Sequence, residues 1–315
     1  MLGRLDEAVA AYEAGIRRFQ KLGDDQGVAI AKGQLGTVRM LQRRYHEALK
    51  TYEEARERFT RLGQLGSVAV TWHLTGVVYG EAAQPEAAED AYRKSLAIEV
   101  RLGDVAGQAS TLGQLGLLYD DELGRTEEAV AFFRQAVDNY VETGNLAGEG
   151  RQRGNLAIRL RKLRRFAEGR QEIGRTIECN AQSGHGSQPW SAWAVLADIE
   201  TDTGNPTAAT EAKHKAIECY LAYRRDDGEN HNPDGRICLA VTERLLASDP
   251  AAAALVLQQV AADPKLAGWL RPFIQALQAI VAGSRDRSLA DAPELDYSMA
   301  AEILFLLDRL EKTGK

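Results

Sequence analysis

Ala88-Glu89-Asp90-Ala91-Tyr92-Arg93-Lys94-Ser95-Leu96-Ala97-Ile98-Glu99-Val100-Arg101-Leu102-Gly103-Asp104 carries a small residue, an aromatic, a second small residue and a glycine at offsets 0, 4, 7 and 15. The same spacing returns at Ala8, Tyr12, Gly15 and Gly23, at Ala48, Tyr52, Ala55 and Gly63, and at Ala129, Phe133, Ala136 and Gly144. A weaker copy reads Gly169, Ile173, Thr176 and Gly184. The weakest keeps Ala209 and Ala216 but has Lys213 and Arg224 in place of the aromatic and the glycine. The anchors fall at 8, 48, 88, 129, 169 and 209, a period of 40 with one step of 41. A fixed period of this size is the signature of a repeat architecture.

The offsets are helical, since residues three, four, seven and eight apart share one helix face. Offset 8 adds Ile16, Leu96, Val137, Ile177 and Ile217, and offset 11 adds Phe19, Phe59, Tyr140 and Tyr220, completing one apolar stripe. A second landmark follows each anchor by 28 residues: Gly36, Gly76, Gly116, Ala157 and Ala197. A small residue there lets one helix backbone approach another. Leu22-Gly23-Asp24, Leu62-Gly63-Gln64, Leu102-Gly103-Asp104 and Thr143-Gly144-Asn145 end a helix on a glycine free to take positive φ. Each repeat is therefore a pair of helices that cannot bury its apolar face alone, so neighbours must stack. The expected fold is all-α: an α-α superhelical solenoid of antiparallel helix pairs, with a helical C-terminal cap.

The pattern resembles the tetratricopeptide repeat in a 40-residue form. Tyr92 to Glu99 followed by Leu102-Gly103-Asp104 is similar to repeats of bacterial signalling proteins, among them STAND-type ATPases, and the resemblance extends from residue 4 to about 225. It implies a protein-binding scaffold or sensor module within a larger signalling protein. The chain has no Gly-x-x-x-x-Gly-Lys-Ser/Thr phosphate loop. It begins in the second helix of a pair, so a fragment of a longer protein is expected, with self-association through the open N-terminal face as a further expectation.

Bulk properties narrow the function. The 315 residues are 44% hydrophobic with a formal net charge of −6, which argues against general binding to nucleic acid or anionic membranes. No apolar run approaches a membrane span, and the N-terminus lacks a secretion signal. Three cysteines, Cys179, Cys219 and Cys238, lack zinc spacing. A soluble protein of the bacterial cytoplasm is expected. The histidines His46, His73, His185, His214 and His231 form no metal-ligand pattern. No catalytic constellation emerges, no cofactor or metal is expected, and the chain is read as a non-enzyme. Asp120, Asp121 and Glu122 are read as a solvated helix end.

In the family that the chain resembles, the first helix of each pair lines a concave groove. By that resemblance the groove positions lie six, three and two before the Gly/Ala landmark, and one, four and five after it. They include Gln34, His73, Gln114, Arg151, Asn155, Ile158, Arg161, Lys162 and Asp198. Trp190, at the start of the last groove helix, is added because tryptophan is favoured at binding hot spots. Residues 151–165 hold seven basic side chains and no acid. Arg151 and Asn155 resemble half of a carboxylate-binding clamp that Gln114 and Val195 do not complete. Three readings stay open for the basic helix. It is a solvated face paired with Glu149, Glu168 and Glu172, or a groove for an acidic peptide, or a nucleic-acid contact, which the absence of interleaved aromatics disfavours. The alternative to a peptide-binding scaffold is a structural or oligomerisation solenoid.

Past residue 225 the period fails. Residues 224–235 read as a polar loop. Helices are expected over 236–247, 250–262, 265–282 and 297–312, with Ser248-Asp249-Pro250 and Asp263-Pro264 as starts and Pro272 kinking the third. The domains are thus expected to be 1–228, the repeats, and 229–315, the cap.

Overall fold

The computed structural model describes residues 2–183, 188–264 and 266–314; Gly184 and His185 lie outside them. Among the described residues there is no strand. The helices are α1 (Leu2–Leu22), α2 (Asp25–Leu41), α3 (Tyr45–Arg61), α4 (Leu65–Glu81), α5 (Pro85–Leu102), α6 (Val105–Asp121), α7 (Thr126–Glu142), α8 (Leu146–Lys162), α9 (Phe166–Ser183), α10 (Pro189–Asp202), α11 (Pro206–Arg225), α12 (Pro233–Leu246), α13 (Pro250–Ala261), α14 (Arg271–Val281) and α15 (Tyr297–Lys312). They form two compact units, Met1–Glu172 and Ile173–Lys315.

In the first unit each of α1 to α7 packs on the next in sequence. The anchored stripe is the core: Ala48, Tyr52, Ala55, Phe133 and Ala136 are fully buried. The landmark glycines explain how the pairs close up. A Cβ built on Gly36 would lie 2.8 Å from the Tyr52 ring, on Gly76 2.6 Å from the Tyr92 ring, and on Gly116 2.8 Å from the Phe133 ring. Tyr52, Tyr92 and Phe133 therefore sit against the bare backbone of the preceding helix. The later copies lack both partners at once: Ala157 and Ala197 are followed sixteen residues on by Ile173 and Lys213.

The turns follow the sequence reading. Gly23, Gly63, Gly103 and Gly144 all take φ between 66° and 69°. In three of them the next residue caps the following helix, with Asp24, Asp104 and Asn145 accepting from the backbone N–H groups of Gly27, Gly107 and Gly148 at 2.8–2.9 Å. The other turn of each pair also needs a left-handed residue. Its occupants are Arg43, Ala83, Gly124, Arg164 and Gly204. An L-residue held in this region pays about 1–2 kcal/mol, partly offset by glycine's larger chain entropy. Ala83→Gly is therefore expected to stabilise the first unit by about 0.5–1 kcal/mol, read as a rise in the thermal midpoint.

In the second unit α10 packs on α11, α15 packs on both α11 and α12, and α12, α13 and α14 follow one another. Leu257, Phe273, Leu277, Ile280, Ile303, Leu306 and Leu307 are fully buried at its centre. Trp190, Tyr220, Tyr223 and Tyr297 form an aromatic cluster that joins α10 and α11 to α15. The residues after 229 thus share one compact unit with α10 and α11.

Three local expectations are corrected here. Helix α12 begins at Pro233, inside the segment read as loop, because proline needs no N–H partner in the first helical turn. Asp263-Pro264 starts no helix. Pro272 lies in the first turn of α14 and begins that helix, rather than kinking a longer one. Asp249 does cap α13, accepting from the Ala252 N–H at 2.9 Å.

A buried polar group ties α15 to α11 and the α11–α12 loop. Glu302 is fully buried. Its carboxylate lies 2.7 Å from Arg224 Nε and accepts from Asn230 Nδ2 at 3.1 Å. Burial raises its pKa above the usual range against the pull of Arg224 and Asn230.

Candidate functional site

The residues at the expected groove positions lie on α2, α4, α6 and α8 in the first unit and on α10 in the second. Their exposure sorts them. Six residues before the landmark, Ile30 is 49% and Val70 57% exposed, high for large aliphatic side chains, and Arg151 occupies the same register in α8, also exposed. Two residues before the landmark stand three amides, Gln34, Gln114 and Asn155, with Gln34 exposed and the others half-buried. One residue after it, Ile158 is 42% exposed. These two register positions thus present exposed aliphatic groups on α2 and α4, and on α2, α6 and α8 amides that can bond an extended backbone.

His73 is placed differently. Its Nδ1 lies 2.9 Å from Thr111 Oγ1 of α6, and its ring stands edge-on to Tyr92 with centroids 5.6 Å apart. It belongs to a contact between successive first helices. Gly113 holds the same register in α6, where Gln152 of α8 leaves no room for a Cβ. Burial lowers the His73 pKa. The sign follows: neutral His73 favours the fold above the ordinary imidazole value near 6.5, and that contribution is lost as pH falls toward its lower folded value. An NMR titration of the imidazole is expected to give a midpoint below that of a free histidine, and His73→Gln to flatten the mildly acidic part of the stability profile.

The basic helix is largely neutralised. Arg153 lies between Glu149, at 2.9 Å, and Glu172. Arg159 is buried, pairs with Asp120 and Asp121 at 2.9 Å each, and lies over the Phe133 ring. Lys162 donates to Asp120 at 2.7 Å, and Arg165 pairs with Glu168 and Glu127. Arg161 is half-buried and also partnered. Arg151 is exposed, with no ion pair among the described residues. This is the paired-face reading, with Asp120 and Asp121 as additional partners.

Asp120 corrects the sequence reading. It is buried, not on a solvated end, because Thr126 at the start of α7 and two cations of α8 close over it. Burial would raise its pKa, but bonds from Lys162 and Thr126 and the charge of Arg159 outweigh that and hold it below the carboxylate range. The sequence signal was the near-40-residue spacing, since Lys162 lies 42 residues on.

Trp190 is also corrected. It is 7% exposed, its ring packed between Tyr220 and Tyr223, so it is core. Asp198 is exposed on α10. Among the described residues no group of three His, Cys, Asp or Glu could hold a metal ion, and no helix is long and apolar enough to cross a membrane.

With the geometry in place, two family models described as tetratricopeptide repeat match the chain, one over residues 27–99 and one over 109–139. These are tetratricopeptide repeats. No curated protein matches by sequence. Solved structures do match by fold. BtubC (BKLC) from P. vanneervenii aligns with a TM-score of 0.64 at 15% identity, over 73% of this chain and 94% of that one. The apo form of RapI aligns at 0.60 and 15% identity over 97% of this chain and 81% of its own. A Signal Transduction ATPase with Numerous Domains protein with a tetratricopeptide repeat sensor, from Pyrococcus horikoshii, aligns at 0.58 and 15% identity. That alignment covers 95% of this chain and 45% of the archaeal protein. At these identities the likeness is one of fold. The tetratricopeptide fold makes a protein-protein interaction scaffold the general class.

Proposed function

We propose that the chain binds an extended protein segment along the first helices of its tetratricopeptide repeats, as an interaction or sensor module of a larger signalling protein. The observation that carries this is the content of two register positions of the first helices: half-exposed Ile30 and Val70 on α2 and α4 at one, and the amides Gln34, Gln114 and Asn155 on α2, α6 and α8 at the other. Exposed aliphatic groups provide burial on binding. Amides at one repeat provide donors and acceptors for a backbone. The basic helix contributes less than its composition suggests, because Arg153, Arg159 and Lys162 are already engaged. Arg151 remains to meet an acidic residue. The archaeal protein with a tetratricopeptide repeat sensor makes a sensing role the natural context.

The test is a peptide-display selection against the full chain, followed by binding of the selected peptides to Ile30→Asp combined with Val70→Asp. Loss of at least about tenfold in affinity is expected, with the thermal midpoint unchanged, since both side chains are exposed. Peptides that bind the variant as well as the parent would defeat the reading.

A second reading has its own observation. In α1, Ala8 and Tyr12 are only half-buried, whereas their equivalents Ala48 and Tyr52 are fully buried. That apolar face suits a second copy of the chain. Sedimentation equilibrium across a wide concentration range, on the parent and on Tyr12→Lys, separates the two: self-association lost in Tyr12→Lys supports the second reading, and a monomer throughout removes it.

A further inference from the structure

In the second, third and fourth anchored copies a ring fills the space between the two helices of a pair: Tyr52, Tyr92 and Phe133 sit against Gly36, Gly76 and Gly116. In the last copy the ring is replaced by Lys213 and the glycine by Ala197. The space is not refilled. A cavity of about 690 Å³ opens there, walled by Ala197, Ala209 and Ala216, and closed on its far side by the segment from Ala290 to Tyr297. Those three alanines hold the landmark, the anchor and the offset-7 positions, the surroundings of a ring elsewhere in the repeats.

The charged lining is mixed. Lys213 is half-buried and makes no hydrogen bond and no ion pair among the described residues. Burial lowers its pKa, opposed by the charges of Asp296, Asp291 and Glu294. Asp291, Asp296 and Asp198 also line the cavity. Asp296 spends one oxygen on the N-terminus of α15, accepting from the Met299 N–H at 2.8 Å. A ligand carboxylate would face these aspartates. A ligand cation would face Lys213. A neutral ring carrying a hydroxyl suits both, because that group accepts from an ammonium and donates to a carboxylate. The ring face can also meet the ammonium directly.

We propose that this cavity is a tyrosine pocket: it takes the phenol side chain of a bound protein segment in the space left where the last repeat lacks its ring, with the hydroxyl set between Lys213 and the aspartates of the lining. Ala194, Asp198 and Thr201 on α10 hold the register of Gly33, Thr37 and Met40 on α2, so the pocket opens on the groove positions of its own helix pair. The proposal rests on the segment-binding reading only in that the ring is carried by such a segment. The pocket itself is tested with a free probe, so the two fail separately.

The experiment is methyl NMR of the full chain with labelled alanine and isoleucine, titrated with N-acetyl-tyrosinamide, N-acetyl-phenylalaninamide and N-acetyl-leucinamide. Saturable shifts at the methyls of Ala194, Ala197, Ala209, Ala216 and Ile217 are expected with the tyrosine probe. The phenylalanine probe should bind about threefold to tenfold more weakly, the worth of one hydrogen bond. The leucine probe should leave these methyls unmoved. Ala197→Gly with Lys213→Tyr restores the glycine–ring pair of the earlier repeats, and should abolish the shifts. Absence of shifts with the tyrosine probe, equal shifts with leucine, or binding that survives in the refilled variant overturns the proposal. The comparison of the three probes on the parent chain is sufficient even if the variant folds poorly.

Discussion

Phe133→Ala is expected to destabilise the first unit by about 3–5 kcal/mol, the usual range for removing a fully buried phenylalanine. The ring is fully buried against Gly116 and lies under the Arg159 guanidinium, with ring centroid and Cζ 5.3 Å apart. Its loss leaves a void between α6 and α7 and removes the floor beneath the Arg159–Asp120 pair. Gly116→Ala tests the same contact from the other side. In the parent its Cβ would fall 2.8 Å from the ring, so the change should cost about 1–3 kcal/mol as overpacking. In the Phe133→Ala background the same change should become neutral or favourable, because the clash is gone and alanine is the better helix former by about 1 kcal/mol. A urea-unfolding double-mutant cycle reads this sign reversal. Additive losses would mean that ring and glycine are not coupled.

Arg224→Met is expected to cost the second unit about 3–5 kcal/mol, because it leaves the Glu302 carboxylate buried with its cationic partner gone. Asn230 and Tyr220 remain within 3.1 and 3.4 Å of that carboxylate, but they are neutral. The Arg224 guanidinium also sits over the Phe305 ring, and methionine preserves part of that packing. The pair can be separated from its parts. With Glu302→Leu added to Arg224→Met no buried charge is left, so the double variant should recover most of the loss. If the double variant is as unstable as the single, the loss comes from packing rather than from an unpaired carboxylate.

The repeat was legible because it is local and periodic. Helix stripes, landmark glycines and the αL glycines at 23, 63, 103 and 144 all follow from spacing within one 40-residue unit. What escaped the sequence depends on partners outside that unit, or on a residue type used against its preference. Arg43, Ala83 and Arg164 adopt positive φ that their chemistry does not announce. Asp120 looked like a helix-end acid, and became buried because Arg159 and Lys162 reach it from the next repeat. Trp190 looked like a hot spot, and is enclosed with Tyr220 and Tyr223 of its own helix pair in a cluster that Tyr297 and Ala301 of α15 complete from far along the chain. The Glu302 cluster joins residues more than 70 positions apart, beyond any local pattern. For the candidate site, register was readable but accessibility was not. Gln34 and Ile158 are exposed, whereas His73 is committed to Thr111.

The central claim is that the first-helix register receives a protein segment. Its most direct test is photo-crosslinking of a display-selected peptide that carries a benzophenone at each position in turn, with the attachment sites mapped on the full chain. Crosslinks at Ile30, Gln34, Val70, Gln114 and Ile158, advancing by one repeat as the benzophenone moves along the peptide, are what the account predicts. Crosslinks confined to the second helices, such as α3 and α5, or to the Tyr12 face of α1, would contradict it.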